Sequence, residues 1–299
     1  MKYHLLLSFI LLLNMQNVAA QSMPSVVVSI KPIHSIVTSL MSGIAEPQLL
    51  LKSNNSAHTF HLKPSQMRML ANADLVIIVS ENFESGLRKA IKNIDNDSLF
   101  QITSLSNLNI HKSRSEILYL EGHEEHEESI YDLHLWLDIN NTKLIAKHIS
   151  ELLIKIDPIN EVKYNKNFLE LTLDLEELKI DLEKEIAPFL TNQFAVFSDT
   201  TQYFEKSMDL IRPIIITPYH GARLSINRTL EAKKTMSDLN VSCLLYGQAV
   251  KPNQISVLSE GLNLKTFEID ILGTEYPAGR SQYFNLMKSI SSQIASCLK

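Results

Sequence analysis

Ten histidines stand in the sequence, and a few of them sit where a cation could be held. His58 and His61 lie just ahead of Pro64, and His134 stands beside Trp136. In the second half, Ser198-Asp199, His220, Gly247-Gln248 and Asp270 fall at or just beyond the ends of apolar runs. Imidazole nitrogen and carboxylate oxygen are donors that Zn²⁺ and related divalent ions accept from proteins. Histidines from one half facing a carboxylate from the other would make an interdomain metal site. Glu121 to Glu128 packs five glutamates around His123 and His126, a polar loop that either gathers metal loosely or is simply solvated. An exported metallohydrolase is the enzymatic rival, because catalytic zinc keeps one open position. Yet no His-Glu-x-x-His helix occurs and no general base stands beside the candidate donors, so no catalytic residues are expected.

Ligands of open α/β sheets bind beyond the carboxyl ends of strands, so the strands decide which of these groups can meet. Ser25 to Ile30 is a β-branched run, followed by Ile33, Ile36, Val37, Leu40 and Met41 at helical spacing. Gln48 to Leu51 reads as a short strand, Pro64 to about Ala71 as a helix with proline in its first turn, and Asp74 to Val79 as a buried strand. From Pro158 to Ile186 there is neither glycine nor internal proline. Tyr164, Phe168, Leu171, Leu175, Leu178, Leu182 and Ile186 form one apolar stripe there, which predicts a single long helix ended by Pro188. Its stripe suits either a rigid spine along two domains or a coiled-coil dimer. Strands are expected at Phe194 to Phe197, Ile214 to Thr217, Ser242 to Tyr246 and Lys265 to Ile269, with a last helix from about Ser281 to Cys297. Strands alternating with helices predict an α/β fold of two parallel-sheet domains covered by helices.

The expected layout is a signal peptide over 1–20, an N-terminal α/β domain over 21–157, a linker helix over 158–187 and a C-terminal α/β domain over 188–299. Lys2, the apolar run Leu5 to Leu13 and Val18-Ala19-Ala20 have the order of a secretory signal, with cleavage before Gln21. That run is too short to span a bilayer, so the mature chain is expected to be exported and not inserted in the membrane. Cleavage removes Lys2 and takes the formal charge from −5 to −6. A mildly acidic chain without a basic run excludes nucleic acid as a partner. Cys243 and Cys297 are the only cysteines; in an oxidising compartment such a pair most simply forms a disulfide, with a two-cysteine metal site as the alternative.

Several segments, taken in order, resemble the periplasmic zinc-binding proteins of bacterial ABC importers, within the wider zinc and manganese receptor family. Ala57-His-Thr-Phe-His-Leu-Lys-Pro-Ser-Gln66 is similar to the stretch in which a ligand histidine precedes a helix opening with Pro-Ser. The strand segment 71–78, Asp132-Leu-His-Leu-Trp-Leu137, the long helix, Ala195 to Asp199 with Tyr203-Phe-Glu205, and Ile269-Asp-Ile-Leu-Gly273 follow in family order. The cysteine pair matches the zinc branch in particular. The resemblance covers essentially the whole mature chain.

The resemblance implies His58 and His134 as metal ligands and Asp270 as a carboxylate ligand or close neighbour. It departs from the family at Ser198, where the zinc branch carries histidine and the manganese branch glutamate, and at Gly247-Gln248-Ala249, where Glu-Pro-Gln is usual. A serine hydroxyl is a poor zinc ligand. Water in the fourth place, His61, or His220 from the second domain would each complete the set; loss of metal binding is the remaining reading, as in a divergent adhesin or other binding protein. The function implied is capture of Zn²⁺, with Mn²⁺ or Fe²⁺ as alternatives, in the periplasm of a Gram-negative type cell. A monomer would then deliver the ion to a membrane ABC permease. Histidines must be neutral to ligate, so affinity should fall as pH drops through about 6.5.

Overall fold

A computed structural model describes residues 23–52, 60–114, 131–217 and 224–299. The segment carrying His58, the acidic loop with His123 and His126, and His220 lie outside the described residues.

The first half builds β1 (Val26–Val28), α1 (Lys31–Leu40), β2 (Gln48–Leu49), α2 (Pro64–Ala71), β3 (Leu75–Ile78), α3 (Arg88–Ile91) and β4 (Leu99–Gln101). Two long helices follow, α4 (Ile139–Ile156) and α5 (Glu161–Ile186). The second half adds β5 (Ala195–Ser198), α6 (Gln202–Ser207), β6 (Ile214–Thr217), α7 (Ile226–Asp238), β7 (Cys243–Gly247), α8 (Pro252–Ser259), β8 (Lys265–Ile269) and α9 (Gln282–Leu298). Each half holds a four-stranded sheet, ordered β2-β1-β3-β4 and β6-β5-β7-β8, and every pairing is parallel. The α/β class expected from the alternation is therefore what forms. The central strands β1, β3 and β5, and β6 at the edge of the second sheet, are buried along their whole length, as sheets covered on both faces require.

The order of strands reverses beside β1 and beside β5. The crevices that open at such switch points lie beyond Val28 and Ile78 in one half and beyond Ser198 and Gly247 in the other.

The apolar stripe of α5 does pack inward: Tyr164, Leu171, Leu175, Leu178, Leu182 and Ile186 are buried, against α1, α4 and α9. One continuous apolar core runs from Val26 through this stripe to Leu245, Ile269 and Cys297, so the two sheets share it. Asn167 is buried on the same face and donates from Nδ2 to the carbonyls of Leu40 at 2.7 Å and Ser42 at 3.0 Å. Those carbonyls stand at the end of α1, where no helical N–H remains to receive them. A smaller cluster around Phe197, Ile216, Met236 and Leu258 fills the outer face of the second sheet.

Cys243 and Cys297 form a disulfide, tying β7 to α9 across 54 positions. That settles the choice left open by their spacing. Among the described residues no helix is long and apolar enough to cross a membrane.

Candidate functional site

His134 occupies the turn that leads into α4. Leu135–Leu137 forms one tight 3₁₀ turn, and Asp138 then caps α4 by accepting the Asn140 N–H at 2.8 Å. The His134 ring is buried, edge-on to Phe83 at 5.7 Å and to Trp136 at 5.5 Å between centroids. Its Nδ1 lies 2.7 Å from Asp132 Oδ1, and its backbone N–H donates to the same oxygen at 3.0 Å. Burial works against charge on Asp132, but the His134 ring, its N–H and the nearby charge of Arg114 outweigh it and hold the carboxyl below its ordinary range.

The loop after β8 meets this turn from the other half. Trp136 Nε1 donates to the Ile271 carbonyl at 2.8 Å, one residue beyond Asp270. Asp270 is turned into its own loop. Oδ1 accepts the N–H groups of Leu272 and Gly273 at 2.9 and 3.0 Å, and Oδ2 accepts Thr274 Oγ1–H at 2.6 Å together with the Thr274 N–H. Thr274 Oγ1 also lies 3.3 Å from Gln248 Oε1, which brings Gln248 to this loop. Gly273 has a φ of +62°, and a Cβ there would sit 2.4 Å from Gln282 Nε2, so the loop requires glycine.

Ser198 ends β5 opposite Thr217 of β6. Thr217 Oγ1–H is directed to the Phe197 carbonyl at 2.7 Å, so at the 3.1 Å contact between the two hydroxyls Ser198 is the donor. Asp199 accepts Arg114 Nε–H on both oxygens at 3.0 Å, with a further contact from Nη2. Arg114 Nη1 reaches Glu205 Oε2 at 2.7 Å, and Thr201 Oγ1 donates to Glu205 Oε1 at 2.7 Å. Burial alone would lower the guanidinium; the two carboxylates outweigh it and raise it above its ordinary value. Burial raises the Glu205 carboxyl against the pull of Arg114.

His61 is exposed in the strand-like approach to α2. It does not cap that helix: Gln66 Oε1 does so, accepting the Lys63 N–H at 2.9 Å. Phe60 beside it is buried, and a Cβ at Gly86 would lie only 2.3 Å from the Phe60 carbonyl oxygen, so glycine lets this segment close down on the turn before α3.

The structure thus brings the His134 turn and the Asp270 loop together through Trp136, and sets Ser198 and Asp199 on neighbouring internal partners. Among the described residues no three His, Cys, Asp or Glu side chains converge as a metal cage. The residues the sequence did not single out are Asp132, Arg114 and Glu84. Asp132 could have been suspected from its place two before His134. Arg114 meets Asp199 across 85 positions, and no local pattern announces that. Glu84 fills the first crevice: its carboxylate accepts Ser29 Oγ–H at 2.5 Å and the N–H groups of Val79 and Ser80 at 3.0 and 2.9 Å.

Comparison with known proteins adds family to geometry. Residues 26–297 match the family model described as ZnuA, zinc-uptake complex component A periplasmic. The high-affinity zinc uptake system protein ZnuA of Brucella abortus (strain 2308) is 27% identical over 309 aligned positions, covering 91% of this chain and 91% of that protein. A crystal structure of ZnuA superposes with a TM-score of 0.77 at 20% identity, covering 93% of this chain and 100% of that one. The solute-binding protein FpvC from Pseudomonas aeruginosa, solved in complex with Mn²⁺, gives 0.76 at 14% identity, with 93% and 99% covered. At these identities the two structures speak to the fold alone.

Proposed function

We propose that this chain, which belongs to the family of the periplasmic zinc-uptake component ZnuA, captures a divalent cation between its two sheet-bearing halves and delivers it to a membrane ABC permease. It is a binding protein and not an enzyme. Zn²⁺ is the first candidate cargo, following the relative named above, with Mn²⁺ and Fe²⁺ behind it. The observation that carries this reading is His134: a buried imidazole, oriented by a carboxylate, at the seam where the loop after β8 meets the turn before α4. His58 and His134 are the proposed nitrogen donors. Asp270 is a close neighbour whose oxygens already serve its own loop, and water fills the place that Ser198 leaves. His61 and His220 are secondary candidates. The proposed layout keeps a periplasmic, monomeric chain with 21–157 and 188–299 as its two domains and 158–187 as the rigid link.

The test is a competitive Zn²⁺ titration of the metal-stripped, disulfide-intact protein against a chelator of known affinity. Tight one-to-one binding that weakens on the order of 100-fold or more in His134→Ala is the expected result, since loss of a ligand should exceed the roughly 10–100-fold of losing its supporting partner. Equal affinity in both proteins would remove His134 from the site.

A second reading keeps the fold without the metal. What favours it is that Ser198 and Asp199 are both engaged with protein partners. No one-to-one zinc, manganese or iron binding by the parent chain would replace the first reading with this one.

A further inference from the structure

We propose that Asp132 is a positioning residue for cation capture, holding His134 as the Nδ1–H tautomer so that Nε2 is the nitrogen offered to the metal. The inference rests on the capture reading above and names the group that prepares its donor.

Three observations converge on it. The short contact between Nδ1 and Asp132 Oδ1, 2.7 Å, needs one proton between two lone-pair-bearing atoms. Oδ1 is already the acceptor of the His134 backbone N–H, so it accepts at the ring contact too, and the proton belongs to Nδ1. The opposite tautomer would set the Nδ1 lone pair against a carboxylate oxygen. Second, the same oxygen receives the His134 backbone N–H at 3.0 Å. Main chain and ring of one residue thus converge on one acceptor, which fixes the side-chain torsions, while Phe83 and Trp136 hold the ring edge-on from two directions.

Third, Asp132 is itself pinned, and from the other half. Tyr203, on α6 and buried, donates its hydroxyl to the Asp132 carbonyl at 2.8 Å and accepts the His111 N–H at 3.0 Å. The Asp132 N–H returns to the His111 carbonyl at 2.9 Å. The second half therefore supports the first-half donor through Tyr203 and Asp132. Partners of this kind choose which imidazole nitrogen a metal receives and raise its basicity.

The experiment reads the tautomer directly, by nitrogen NMR of ¹⁵N-histidine-labelled, metal-free protein at neutral pH, beside Zn²⁺ titrations of the parent and Asp132→Asn. Asparagine keeps the shape but can turn its NH₂ toward Nδ1. Expected are an Nδ1–H His134 in the parent, a shift toward Nε2–H in Asp132→Asn, and zinc affinity lowered about 10–100-fold. An Nε2–H tautomer in a parent chain that binds zinc would overturn the role of Asp132 and leave capture standing. An unchanged zinc affinity in Asp132→Asn would overturn it equally. An Nδ1–H tautomer in a parent that binds no zinc would overturn capture while leaving the Asp132–His134 geometry intact. Should Asp132→Asn fail to fold, the parent's tautomer decides.

Discussion

The two halves repeat one strand order and treat their crevices differently. In the first half the switch point is closed by the chain itself, with Glu84 accepting Ser29, Val79 and Ser80. Its candidate donor, His134, is carried not by a strand but by a turn braced by aromatic rings. In the second half the candidate groups do stand at strand ends, but each is engaged: Ser198 with Thr217, Asp199 with Arg114, Asp270 with its own loop. The difference teaches that the first half supplies the oriented nitrogen, while struts from both halves tie it to the second. Arg114 and Tyr203 are the clearest struts, one reaching across in each direction.

Arg114→Ala is the strongest way to break that division. It leaves Asp199 and Glu205 buried without their cation, and urea unfolding should show a loss of about 3–5 kcal/mol. A loss under about 1 kcal/mol would mean that the contact is no strut. Replacing both cysteines with alanine should come next, at about 4 kcal/mol for a loop of this length. The damage is expected in the second half, so exchange protection should fall first at β7 and α9, not at β1 and β3.

Glu84 sharpens the comparison through pH. Burial pushes its carboxyl up to about 7, against the opposing hydrogen bonds from Ser29, Val79 and Ser80. A raised acid holds its proton longer when folded, so its contribution to stability is full below about 4.5, declines as pH rises and is gone above about 7. The parent should therefore lose up to roughly 3 kcal/mol over that interval relative to Glu84→Gln, whose side chain does not titrate. Parallel denaturation curves for the two proteins at pH 5 and pH 8 would exclude this.

Ser198→His is the mildest change and the most direct. If the second half lacks only a donor at the end of β5, the added imidazole should tighten zinc binding about tenfold, or about 1.4 kcal/mol. No gain would show that the strand end is turned away from the cation.

Much of the architecture was legible because it is written in short-range periodicity. The β-branched runs, Pro64 at its helix start and the α5 stripe each stand within a few residues of the positions expected. The second-half strand expected from Phe194 begins at Ala195 instead and takes in Ser198. The spine starts as a 3₁₀ turn over Pro158–Asn160 before α5 takes over. Helix α4 was not read from the sequence: Asn140 and Asn141 are poor helix formers in its opening turn, and packing of Ile145, Ile149 and Leu153 outweighs them. Strand β4 was missed for lack of signal, since only Phe100 of its three residues is buried. At the site, His134 and Asp270 could be named from motif alone. Their own partners, Asp132 and the loop 272–274, are local. The contacts that join the pieces could not be read, because Tyr203 meets Asp132, Arg114 meets Asp199 and Trp136 meets Ile271 across 71 to 135 positions.

The last helix covers the first. In α1 every residue from Pro32 to Leu40 is buried, and Ser35 Oγ accepts the Tyr283 N–H from α9, 248 positions later. A chain made from its amino end must therefore carry α1 without this cover until nearly all the rest has followed. Truncation within α9 should then yield an aggregating fragment and not a free-standing lobe, which light scattering of the shortened chain beside the parent would show.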